Sequence, residues 1–223
     1  MSNKITPPFG YDFIQTEDGS YTFYSKMFDE NCHSLSGAQS ETVKYFIEDS
    51  KLINCNEGAL IFEVGFGLGL GLREVIKFSK NNKKSFRFVS TEIDPILVSW
   101  FCDQFPEDIQ IIQKNATSLK AKTQFLDIEV LIGDARKTTP LYFKNTSKRI
   151  DRIFQDAFSP KKNPTLWEKP WFEDLFSYSN QGCILTTYSA SHSVKENLTS
   201  VGFNIEKIEG HGKKRAATRA WKK

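Results

Sequence analysis

From Gly58 onward the chain alternates two kinds of apolar pattern. The stretch Ala59–Val64 is apolar except for Glu63 and reads as a strand buried on both faces. Residues 68–78 then carry apolar positions at helical spacing. The alternation continues with a strand at 86–91, a helix at 96–104, and strands at 127–132 and 150–155. A helix at 167–176, a strand at 183–188 and a helix at 192–200 follow. Residues 203–208 and 215–221 read as two last strands, close enough in sequence to pair as an antiparallel hairpin. Strands interleaved with helices predict a mostly parallel α/β sheet covered on both faces, of the Rossmann-like kind. Ligands of such sheets lie at the carboxyl ends of the strands, where the strand order reverses.

The first 57 residues follow a different pattern. Residues 11–16 and 20–25 are aromatic and β-branched runs around Glu17-Asp18-Gly19, a hairpin signal. Ser36 followed three residues later by Gln39 reads as a capping box. It predicts a helix over 37–49 with Val43, Phe46 and Ile47 on one face. The expected organisation is an N-terminal hairpin-and-helix extension over 1–57 and a Rossmann-like domain over 58–223. The extension's hairpin has no chemistry of its own to read, and covering a sheet edge is its simplest task.

Composition narrows the class without changing this picture. Of 223 residues, 39% are hydrophobic and 26% charged, the balance of an ordinary globular protein. No apolar run approaches the roughly 20 residues of a membrane span, and residues 1–10 lack the apolar core of a signal peptide. A cytoplasmic protein without a membrane partner is expected. Cys32, Cys55, Cys102 and Cys183 are too far apart for metal or redox motifs, so no metal is expected. The net charge of +3 says little, but its distribution says more. Residues 207–223 hold seven Lys or Arg against one acid, Glu209, and Lys161-Lys162 form a second basic pair. Such clusters suit a phosphate backbone, or simply a solvated tail.

The candidate chemistry sits at the strand ends. Glu63-Val64-Gly65-Phe66-Gly67-Leu68-Gly69 joins the first strand of the α/β part to its helix. A dinucleotide fingerprint would space its glycines Gly-x-Gly-x-x-Gly to receive a pyrophosphate. Here Gly65, Gly67 and Gly69 alternate and an acid precedes them, which suits a cationic amino-acid ligand better. That favours S-adenosylmethionine over a nicotinamide cofactor. Glu92 ends the second strand 25 residues beyond Gly67, where a carboxylate can accept from both ribose hydroxyls. Asp94, before Pro95, competes for that role but also reads as a helix cap. Asp134 in Gly133-Asp134-Ala135 can accept from an adenine amino group or cap a helix. The segment Gln155-Asp156-Ala157-Phe158-Ser159-Pro160-Lys161-Lys162-Asn163-Pro164 follows the fourth strand. Asp156 is placed there to meet an acceptor, in a loop stiffened by two prolines.

These stretches together resemble the methyltransferase of the MnmC type. The family has segments similar to His33-Ser34 and Gly37-Ala38, to the Gly65–Gly69 loop, and to Glu92 with Pro95. The segment Asp156-Ala157-Phe158-Ser159-Pro160-Lys161-Lys162-Asn163-Pro164, with Trp167, is similar to the family's Asp-Gly-Phe-Ala-Pro-Ala-Lys-Asn-Pro. Gly210-His211-Gly212-Lys213-Lys214-Arg215 is similar to its Gly-Phe-Gly-x-Lys-Arg. Departures are Leu68, Gly71, Ala157 and His211. The resemblance runs from about residue 21 to 215. It implies a class I S-adenosylmethionine methyltransferase acting on the aminomethyl group of a wobble uridine in the anticodon region of tRNA. Its product would be 5-methylaminomethyl-(2-thio)uridine. It also implies the stand-alone form, in which a separate protein makes the aminomethyl group. On this reading Glu63, Gly65, Gly67, Gly69, Glu92, Asp134 and Asp156 bind the donor, and Asp156 also orients the amine. Phe158, Lys161, Lys162, Asn163, Lys213, Lys214 and Arg215 would meet the RNA. A methyltransferase for another amine, or an RNA-binding protein with a degenerate donor site, are the alternatives.

Overall fold

The computed structural model describes residues 5–223. Nine strands form one sheet and three form another. The small sheet is β1 (Tyr11–Gln15), β2 (Tyr21–Ser25) and β3 (Glu30–Asn31), all antiparallel. Helix α1 (Ala38–Thr42) follows and widens over Val43–Glu48 into π-type turns. The large sheet begins with β4 (Ala59–Val64), then α2 (Leu70–Asn82), β5 (Phe86–Glu92) and α3 (Pro95–Gln104). Next come β6 (Gln110–Lys114), β7 (Ser118–Lys122), β8 (Leu126–Ile132), α4 (Ala135–Lys144) and β9 (Ile150–Gln155). The chain closes with α5 (Lys169–Tyr178), β10 (Ser179–Thr187), α6 (His192–Ser200), β11 (Asn204–Glu209) and β12 (Ala216–Trp221).

The strand order is β11-β12-β10-β9-β4-β5-β8-β7-β6. The five central strands are parallel, and hairpins β11-β12 and β6-β7 extend the two sides antiparallel. Both faces are buried, which is why β4 reads as a continuous apolar run. Leu60, Phe62 and Val64 enter the core beneath α4 to α6, while Ile61 enters the core shared with α2 and α3. After β4 the chain builds outward through β5 and β8, then returns to lay β9 on the other side of β4. The order therefore reverses at β4, and a crevice opens beyond its carboxyl end.

Three local expectations are corrected. Ser36 does not cap α1, and Gln39 spends its side chain on Glu74 Oε1 at 2.9 Å. The β1–β2 turn caps the helix instead. Ser20 Oγ accepts from the amides of Ala38 and Gln39, and Asp18 Oδ2 accepts from that of Ser40. The π-type turns shift the helix phase, so Tyr45 and Phe46 are the buried pair rather than Val43, Phe46 and Ile47. Helix α2 starts at Leu70, two residues late, because Gly69 at its cap has φ 73°, outside the helical region. The hairpin β6-β7 was not anticipated. All five residues of β6 are exposed, so it has no alternating pattern to read.

Nor does the small sheet cover an edge of the large one. Phe23 is fully buried against Trp100 of α3, with rings edge-on at 4.9 Å. Tyr11 donates its hydroxyl to Asp94 Oδ2 at 2.9 Å. The N-terminal sheet thus lies over α3, beside the crevice.

Candidate donor and acceptor site

Val64 pairs with Thr91 on one side and Gln155 on the other. The next residue on each strand is Gly65, Glu92 and Asp156, so the three emerge side by side from the sheet. Together with Gly67, Asp134, Phe158 and Asn163 they line one cavity. The small sheet and its β2–β3 loop close it with Met27, Phe28, Cys32 and His33.

The loop after β4 is held by its own neighbours. Thr91 O accepts from the amides of Gly65 and Phe66 at 3.1 and 2.9 Å, and Glu92 Oε2 accepts from Gly67 N at 2.8 Å. A Cβ on Gly65 would lie 2.8 Å from Asp156 O, with φ already at 96°, so only glycine lets the two loops touch. A Cβ on Gly67 would meet nothing nearer than His33 at 4.0 Å, leaving open space for a ligand to approach the backbone.

Glu92 also accepts from Asp94 N through Oε1 at 2.9 Å. Burial raises its pKa to about 7, against the lowering effect of these two amides. Each oxygen keeps a lone pair, so the carboxylate can receive a ligand's hydroxyls. Asp94 instead caps α3 through Ile96 N at 2.9 Å and holds Tyr11, so it is spent structurally. Asp134 has two surroundings. It lines the cavity and it caps α4, accepting from Arg136 N at 3.0 Å and from the Arg136 guanidinium at 3.0 and 2.7 Å. The guanidinium, with burial opposing, lowers its pKa.

Glu63 and Gly69 stand apart from the cavity lining. The Glu63 carboxylate is buried under the first turn of α2, in room left by the missing side chain of Gly71. Ser90 Oγ donates to it at 2.6 Å, yet burial pushes its pKa up to about 8. Gly69 packs against the rings of Phe101 and Phe66.

The loop after β9 is held by side chains from afar. Trp167 Nε1 donates to Phe158 O at 2.7 Å and Tyr188 Oη to Ala157 O at 2.8 Å, while Ser159 N donates to Glu30 Oε2 at 2.8 Å. Phe158 stacks on Phe28 at 4.3 Å. Asp156 has no hydrogen-bond partner for its carboxylate among the described residues. Burial raises its pKa well above the ordinary range, helped by Glu41 and Glu63 and opposed by Lys214.

The expected RNA-contacting cations do not line the cavity. Lys214 ion-pairs with the buried Glu41 at 2.6 Å and sits 4.3 Å from the Tyr188 ring centroid. Lys213 pairs with Glu17 at 2.7 Å on the surface, and Lys162 pairs with Asp29 at 2.7 Å. Exposed pairs such as Lys213–Glu17 contribute about 0–1 kcal/mol and exchange readily for phosphate. The Lys214–Glu41 pair, with its acid buried, does not. Lys161 and Arg215 sit in the same two loops. Sequence reading missed Met27, Phe28 and Cys32 as cavity residues, since no local pattern marks them. His33 stood in a matched segment but carried no role. Among the described residues no cluster of three or more His, Cys, Asp or Glu could hold a metal, and no helix is long and apolar enough to cross a membrane.

Comparisons with known proteins agree with this geometry. A protein of Methanocaldococcus jannaschii is 26% identical over 216 residues, 94% of this chain and 59% of that one. The tRNA 5-methylaminomethyl-2-thiouridine biosynthesis bifunctional protein MnmC of Leptospira interrogans is 29% identical over 221 residues, 90% of this chain and 34% of its own length. The chain thus spans well under two thirds of either relative. The crystal structure of MnmC2 from Aquifex aeolicus matches with a TM-score of 0.78 at 28% identity, over 95% of this chain and 70% of that one. A family model described as S-adenosyl-L-methionine-dependent methyltransferase matches residues 98–223, more than half of the chain. The chain therefore belongs to the S-adenosyl-L-methionine-dependent methyltransferases.

Proposed function

We propose that this protein transfers a methyl group to the aminomethyl nitrogen of a modified wobble uridine in tRNA, giving 5-methylaminomethyl-(2-thio)uridine. The observation that carries this reading is Asp156, a carboxylate on the cavity wall without a hydrogen-bond partner among the described residues, in a loop that resembles the MnmC-type Asp-x-Phe segment. Similarity to relatives named for this tRNA modification supports it.

In this reading Glu92 accepts the ribose hydroxyls of the donor, Gly65 and Gly67 let it approach the backbone, and Asp134 faces the adenine. Glu63 and Gly69 support the loop from below. The donor supplies a methyl group on a sulfonium, an electrophile that needs an aimed nucleophile and no metal. Asp156 accepts a hydrogen bond from the incoming amine and aims its lone pair. As the new C–N bond forms, the methyl–sulfur bond breaks and its electron pair leaves with the sulfur as a neutral thioether, and the ionised Asp156 carboxylate accepts the proton that the nitrogen sheds. Phe158 and Asn163 flank the base, while Lys161, Lys162, Lys213 and Arg215 meet phosphates from the rim. Lys214 orders the acceptor wall through Glu41 and Tyr188. Methyl transfer does not install the aminomethyl group, so a separate reaction precedes this one.

The test is methyl transfer from labelled S-adenosylmethionine to tRNA carrying aminomethyluridine, read by nucleoside mass spectrometry. A gain of one methyl on that nucleoside is expected. No gain, with donor binding intact, would redirect the search to other amines.

A further inference from the structure

His33 follows β3 of the small sheet and reaches the cavity wall beside Gly67 and Glu92. Its Cε1 is the heavy atom that a Cβ on Gly67 would meet, at 4.0 Å. Its Nδ1 lies 3.1 Å from Thr22 Oγ1 on β2. Its Nε2 has no partner among the described residues. Burial, aided by Lys214 and opposed by Glu41, lowers its pKa to about 4, so the ring is neutral near pH 7 and carries one N–H.

Thr22 decides which nitrogen holds that proton. Its side chain is fully buried, and His33 is its hydroxyl's hydrogen-bond partner among the described residues. If Nδ1 were protonated, it would donate to Thr22 Oγ1 and leave the hydroxyl proton buried without an acceptor, a cost of about 1–3 kcal/mol. With Thr22 donating to Nδ1, the buried Thr22–His33 pair is satisfied and Nε2–H is left as the donor without a partner among the described residues. The backbone here is anchored as well, since Ser34 N donates to Glu41 Oε2 at 3.0 Å.

The cavity has a matching need. S-adenosylmethionine ends in an amino acid, with an ammonium and a carboxylate. The acids Glu92 and Asp156 suit cations and repel the carboxylate. Three of the loop amides that could receive such an anion are taken: those of Gly65 and Phe66 by Thr91 O, and that of Gly67 by Glu92. Arg136 is committed bidentately to Asp134 at the α4 end.

We propose that His33, held in its Nε2–H tautomer by Thr22, donates a hydrogen bond to the carboxylate of the methyl donor, so that the N-terminal sheet supplies a donor-binding group. This rests on the cavity being the donor site. The test is calorimetric binding of S-adenosylmethionine and of its decarboxylated analogue to the intact protein and to variants. His33→Ala is expected to weaken S-adenosylmethionine about ten-fold and the analogue less than about two-fold. His33→Gln, whose amide nitrogen can stand near Nε2, keeps most of the discrimination, and Thr22→Val loses part of it. Equal weakening of both ligands by His33→Ala, or none, overturns the proposal. Should that variant not fold, long-range 1H–15N spectra of the intact protein decide: an Nε2–H tautomer perturbed by S-adenosylmethionine supports the assignment, and an Nδ1–H tautomer refutes it. Failure of S-adenosylmethionine itself to bind the unmodified protein would instead refute the donor-site reading.

Discussion

The loops after β4 and β9 both form the cavity floor, but they are held in different ways. The first is fixed by bonds from its own amides to the adjacent strand end, to the Thr91 carbonyl and the Glu92 carboxylate. The second is pinned by Trp167, Tyr188 and Glu30, which lie 9, 31 and 129 positions away in sequence. The first loop is thus a property of the parallel sheet. The second is assembled from three separate elements, one of them the N-terminal sheet.

That contrast can be broken from either side. Asp156→Asn keeps the shape of the acceptor loop but removes the base. The rate at saturating donor should fall about 10²–10³-fold in single-turnover assays, with donor affinity little changed. An equal loss of affinity would move Asp156 to the donor side.

The next effect is on stability. Glu63 titrates at about 8 in the fold, above its ordinary value of 4.5. The folded protein therefore holds this proton where the unfolded chain has released it, so the penalty grows as pH rises from about 4.5 to 8 and is complete above that. Glu63→Gln should remove it, making the variant more stable than the unmodified protein by a few kcal/mol at pH 9 and little different at pH 4. Urea melts at the two pH values read this directly. Glu92 titrates in part of that window and its charge acts on Glu63, so the difference reads Glu63 together with that coupling.

Glu92→Gln should weaken donor binding by roughly ten-fold or more, the loss of charge-assisted bonds of about 1.5–3 kcal/mol, in calorimetry. Its acceptor-side counterpart is milder. Trp167→Phe removes the bond to Phe158 O and should cost about 1 kcal/mol of stability, raising the apparent KM for tRNA more than the Kd for donor. The smallest effect separates the two lysines. Lys213→Ala should reduce tRNA affinity a few-fold and flatten its salt dependence by about one phosphate contact. Lys214→Ala should change the salt slope little, because its partner is Glu41.

Much of the fold was legible because period and punctuation are local. Buried parallel strands produce unbroken apolar runs, and Pro95 after Asp94 marks a helix start that the structure places where the sequence does. Hairpin β6-β7 was not legible, since an edge strand with five exposed residues leaves no burial pattern. The cap of α1 was not either, because Ser20 and Asp18 serve it from about twenty positions upstream.

The sequence by itself determined the layered α/β class, the alternating glycines, and the acids Glu92 and Asp156 at strand ends, since backbone geometry ties each to its immediate neighbours. Only the tertiary structure decided that Glu63 turns beneath α2, that Lys214 serves Glu41, and that Phe28 and His33 close the cavity. Glu63 is placed by packing against Gly71 and Ser90, Lys214 and Glu41 are 173 positions apart, and Phe28 stacks on Phe158 from the β2–β3 loop of the separate small sheet; packing and desolvation of this kind leave no periodic trace along a single chain.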